Sequence, residues 1–155
     1  MRRTAALLAV TAVVTVLAGG CGGGAANSGR ADHDSGAAAD TTTCRAQARP
    51  VAPSAYPSAF PADFPFPART VVYDVEDRGK DGVIASGVTD EPFKQVLADL
   101  NGPAQKAGYQ VTSGETEEHD AEANWTGHGH HGRWAIRASA SCSGETVVQV
   151  LAAQG

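Results

Sequence analysis

The chain predicts an α+β domain: a small antiparallel sheet of about five strands with one kinked helix on one face, in the order β-β-α-β-β-β. Three observations lead there. Several segments in residues 70–152 alternate apolar and polar positions, the period of a strand with one buried face. Between them Phe93, Val96, Leu97, Leu100, Ala104 and Ala107 recur at steps of three and four, which lines up one apolar helical face. Strands and helix must then bury their apolar sides against each other, and a helix laid on one face of an antiparallel sheet does so.

Each element has its own signal. Residues 70–76 set Val71, Tyr73 and Val75 on one side of a strand, and Gly79, Asp81 and Gly82 turn the chain into a second strand over 83–89. Thr89 or Asp90 is placed to cap the helix, and Pro92 is tolerated in its first turn. Gly102-Pro103 should kink or split the helix without changing its buried face, and Gly108 should stop it. Residues 109–112 open a strand, whereas 113–120 are acidic and read as irregular. Ala121, Ala123 and Trp125 alternate with polar neighbours. So do Trp134, Ile136, Ala138, Ala140 and Cys142 after a Gly/His-rich turn, which lets Trp125 and Trp134 pair across strands. Ser143-Gly144 turns the chain into a last strand centred on Val147, Val148, Val150 and Leu151. Residues 68–153 thus form the globular domain.

The segments ahead of that domain have other compositions. Residues 44–67 hold six of the eight prolines, which predicts an extended, polyproline-like lead-in. Tyr56, Phe60, Phe64 and Phe66 are interleaved there, and Phe64 and Phe66 should lie against the domain. Residues 21–43 are dominated by Gly, Ala, Ser, Asp and Thr, cannot bury enough apolar surface to offset their ordering entropy, and are expected to be a disordered tether.

The first 20 residues carry Arg2 and Arg3 and then an apolar run over 5–17, interrupted only by Thr11 and Thr15. That run is too short to span a hydrocarbon core of ~30 Å and suits the h-region of an export signal. Small residues Ala18, Gly19 and Gly20 follow, and then Cys21. The segment resembles the bacterial lipoprotein signal with its lipobox, although Ala18 stands where leucine is usual and Leu17 lies one step earlier. Arginine outnumbers lysine and Ala and Gly are abundant, so the chain looks like an actinobacterial secreted lipoprotein. The resemblance implies cleavage before Cys21 and its lipidation. The protein would then sit on the extracytoplasmic face of the cell membrane, with the membrane as a partner through Cys21 and no spanning helix.

Charge and cysteine count narrow the function. The formal charge of −5 becomes −7 once Arg2 and Arg3 are removed with the signal, which argues against nucleic acid as a partner and against a polybasic grip on anionic lipid. With Cys21 given to lipid, Cys44 and Cys142 remain as an even pair in an oxidising location and are expected to form a disulfide. The cluster of His128, His130 and His131 offers imidazoles for weak zinc or copper binding, but on a glycine-flanked turn tip it reads first as a polar turn. Templates for a serine hydrolase elbow, a zincin helix and a phosphate loop are absent from the sequence. Ser139, Ser141 and Ser143 alternate on a strand with no base near them in sequence, and Glu115, Glu117, Glu118, Asp120 and Glu122 read as a solvated loop. No catalytic residue and no cofactor are assigned. The leading expectation is a non-catalytic binding or interaction module that contacts an envelope protein or component. A His-rich metal-capturing lipoprotein is the alternative, and a cell-wall hydrolase is third.

Overall fold

The computed structural model describes residues 43–155, so the signal (1–20), Cys21 and the tether (apart from Thr43) lie outside the described residues. Six strands form one open antiparallel sheet: β1 (Val71–Asp77), β2 (Val83–Thr89), β3 (Gln110–Thr116), β4 (Asp120–Gly127), β5 (His130–Ala138) and β6 (Thr146–Gln154). Their order across the sheet is β1-β2-β6-β5-β4-β3. β3 to β6 form a meander, and β6 returns to pair with β2. The helix carries the chain from β2 to the far edge as α1 (Phe93–Asn101) and α2 (Pro103–Lys106).

The α+β class and the bent helix agree with the sequence, but the strand count rises from five to six. β3, expected only to open over 109–112, runs on through Ser113 to Thr116, the stretch expected to be irregular. Every residue from Thr112 to Thr116 is exposed, so this edge strand has no apolar/polar alternation to read. The helix start also differs. Pro92, not Thr89 or Asp90, occupies the cap position, and no side chain caps it. Thr89 instead ends β2 fully buried, its hydroxyl donating to the Ala68 carbonyl at 2.9 Å.

Registers explain how one core fills. One row runs through all six strands: Val75, Ala85, Val150, Trp134, Ala123 and Gly114. The next row on that face places Trp125 between Gly132 and Val111. Large rings therefore sit beside small residues, which lets the sheet face stay close-packed. A Cβ on Gly132 would collide with the Leu151 carbonyl and the Trp125 indole, so glycine there is a packing requirement. Trp125 pairs with Gly132 and Trp134 with Ala123, which corrects the expected Trp125–Trp134 pairing. Phe93, Val96, Leu100 and Ala104 bury the helix on this face, and the break at Gly102 leaves Ala104 on the same side.

The proline-rich lead-in completes the core in a way its composition did not suggest. It is a succession of turns, not an extended spacer. Amides of Tyr56, Phe60 and Phe64 donate to the carbonyls of Pro53, Pro57 and Pro61 at 3.1, 2.9 and 3.1 Å. The segment is a Pro-x-x-aromatic unit repeated three times, and each unit closes on itself. Successive rings meet: Tyr56 and Phe60 at 5.6 Å, Phe60 and Phe64 at 6.1 Å, then Phe64 and Trp125 at 5.3 Å. Phe60 and Phe64 are buried in the main cluster, each contributing about 1.5–3 kcal/mol of burial. Phe66 packs partly buried against the same cluster, so both Phe64 and Phe66 lie where expected.

Candidate functional site

Two constellations of polar side chains sit at opposite ends of the sheet. The first is the disulfide corner. Cys44 and Cys142 are bonded, with Cα atoms 5.6 Å apart and a sequence separation of 98, as the cysteine count predicted. Cys142 lies in the loop after β5, because that strand ends at Ala138. Ser139, Ser141 and Ser143 belong to this loop and not to a strand face. The Ser139 hydroxyl accepts the Cys142 amide at 3.0 Å, a turn-forming use of the side chain. Beside the bridge the Glu145 carboxylate accepts the Arg45 amide at 2.8 Å. Arg45 and Arg69 both approach Asp90, at 3.7 and 3.2 Å, so the two ends of the lead-in meet at one carboxylate.

The second constellation joins Asp63, Tyr109 and His128. The Tyr109 hydroxyl donates to Asp63 Oδ1 at 2.6 Å, and His128 Nδ1 faces Asp63 Oδ2 at 3.1 Å. His128 Nε2 lies 2.8 Å from the Ala107 carbonyl. Both ring nitrogens thus face oxygen atoms. The ring stacks on Tyr109, 4.7 Å between centroids and 6° from parallel. Backbone supports this placement: His128 takes φ 52° in the β4–β5 turn, and Gly108 takes φ 96° directly beneath the imidazole. A side chain on Gly108 would strike His128 Nε2.

Charge follows the geometry. The Tyr109 hydroxyl holds the Asp63 carboxyl below its ordinary range, with His128 and His130 adding smaller electrostatic contributions. Burial of the ring, then the bond to Asp63 and its charge, push the Tyr109 phenol far above its ordinary value. Asp63 is largely exposed at its side chain and His128 is 43% exposed, so the pair sits on a rim and not in a closed pocket.

The candidate metal ligands are separated by this arrangement. His130 and His131 are neighbours on β5 and point to opposite faces of the sheet. His130 Nδ1 lies 2.9 Å from the His128 carbonyl, while His131 is exposed on the other face. His119 is set apart from them by the whole length of β4. Among the described residues, the group of three potential ligands with donor atoms within 4.8 Å is Cys44, Cys142 and Glu145, and two of these are the bonded sulfurs. The acids are dispersed as well. Glu115 lies opposite Glu122 across β3 and β4, Glu122 is paired with Arg133, and Glu117 closes the turn through the Asp120 carbonyl at 2.8 Å.

Sequence reasoning located His128 but not its partners. Asp63 is a single acid inside a proline-rich stretch, and Tyr109 was read only as the start of a strand. The period-four aromatic repeat was the available signal, since it implies that the lead-in docks and that an acid at its end needs a partner. Comparison of the chain with protein-family models, with curated proteins and with solved structures gives no match.

Proposed function

We propose that this protein is a lipid-anchored, extracytoplasmic lipoprotein whose folded domain is a non-catalytic binding or interaction module of the cell envelope. The observation that carries the reading is the Cys44–Cys142 bond. It accounts for two of the three cysteines, leaving Cys21 behind its short apolar run for lipid. It also fits a compartment in which disulfides persist. Acyl chains on Cys21, at ~0.8 kcal/mol per buried methylene, would anchor the chain without a spanning helix. No described helix is long and apolar enough to cross a membrane.

The polar clusters support a module that holds its own shape. Asp63, Tyr109 and His128 bind one another and the backbone, and Glu145 holds the Arg45 amide. Metabolic labelling with an alkyne fatty acid tests the anchoring. Wild type should incorporate label and pellet with membranes, whereas Cys21→Ala should lose the label and leave the membrane fraction. Retention of Cys21→Ala on membranes would refute the anchor.

A further inference from the structure

Residues 52–66 cross the core side of the sheet with no backbone hydrogen bond to it among the described residues. Their backbone bonds are internal, from Ala55, Tyr56, Phe60, Phe64 and Phe66 to carbonyls two to three positions earlier. The flanks are tied differently. Cys44 is bonded to Cys142, the Val51 amide donates to the Val72 carbonyl at 2.8 Å, and the Ala68 carbonyl accepts from Thr89. Between those ties, Asp63 is the described residue whose side chain binds the rest of the domain, through Tyr109 and His128.

From this pattern we propose that residues 52–66 are a strap that opens and closes as one unit, braced at its base by the Cys44–Cys142 bond and latched at its tip by Asp63. A segment hydrogen-bonded only to itself leaves the sheet without orphaning backbone groups on either side. Each Pro-x-x-aromatic turn travels with it. What holds the strap shut is the burial of Phe60 and Phe64 together with the Asp63 contacts. Opening lifts Phe64 off Tyr109 and Trp125, now 5.1 and 5.3 Å from it, and bares their rings. The sheet keeps all six strands, and the fixed ends return the strap to the same seat. Segments of this kind open below the global unfolding free energy.

Amide hydrogen exchange on the full chain with its disulfide intact tests the strap. In wild type, the Phe60 and Phe64 amides should exchange at rates matching each other and about tenfold or more faster than Val148 and Val150 in β6. Asp63→Ala should speed Phe60 and Phe64 together by a further factor of about two to five, and β6 by no more than that same factor, because global unfolding also breaks the Asp63 contacts. Exchange of Phe60 and Phe64 in step with β6 in wild type would overturn the proposal without any variant. An Asp63→Ala variant with unaltered strap exchange would overturn the latch.

Discussion

Asp63 shows how little of a half-exposed contact is electrostatic strength and how much is placement. Its bond from Tyr109 is short, but solvent at the rim keeps such a pair to about 1 kcal/mol or less. The signs of the two titrations set its working range. Asp63 has a depressed carboxyl, so its contribution is complete above the ordinary carboxylate value of about 4 and fades as pH falls through the lower folded value. Tyr109 has a raised phenol, so its contribution is complete below about 10 and fades only as pH rises toward its higher folded value. The Asp63–Tyr109 bond therefore persists across the whole neutral range. In an alkaline titration followed by tyrosinate absorbance, Tyr109→Phe should reproduce the wild-type curve between about pH 9 and 11. A smaller absorbance rise in the variant would show that Tyr109 titrates normally. At this scale the sequence was legible where a residue belongs to a pattern and opaque where it acts through a distant partner. Tyr109 and Asp63 are 46 positions apart, and no local period joins them.

Elements were legible in proportion to the asymmetry of their two faces. β4, β5, β6 and α1 each bury one side, so period two or the three-four step marked them. β3 buries almost nothing and was read as loop beyond Thr112. As the outermost strand it presents backbone donors and acceptors that invite pairing with another chain. Its bulge between Val111 and Ser113 interrupts that edge. Glu115 near its end, with Glu117 and Glu118 in the following turn, adds like charges that repel a second copy. These acids, which resemble a solvated loop in sequence, act as guards of a strand edge. Glu115→Val combined with Glu117→Val should therefore self-associate at concentrations where wild type does not, as read by sedimentation velocity. Identical sedimentation of the two proteins would mean that the bulge alone protects the edge.

For the whole molecule, the decisive economy is that one helix does not cover six strands. The strap supplies the missing part of the layer, and the disulfide joins its base to the loop between β5 and β6. The bond closes nearly the full length of the folded chain, its cysteines being separated by 98 in sequence. A loop of that size gives ~4.7 kcal/mol in the chain-entropy model, and native disulfides typically contribute 2–4 kcal/mol. In a small domain with a total stability of about 5–15 kcal/mol, that is a large share. Replacing both cysteines, Cys44→Ser with Cys142→Ser, avoids an unpaired thiol and should lower the unfolding free energy by about 2–4 kcal/mol in a denaturant titration. Loss of the bond also expands the unfolded state, so the unfolding free energy, and not the slope alone, is the readout. A strap that depends on its brace predicts the full loss, and a shift below about 1 kcal/mol would show that packing of Phe60 and Phe64 holds the strap without the bond.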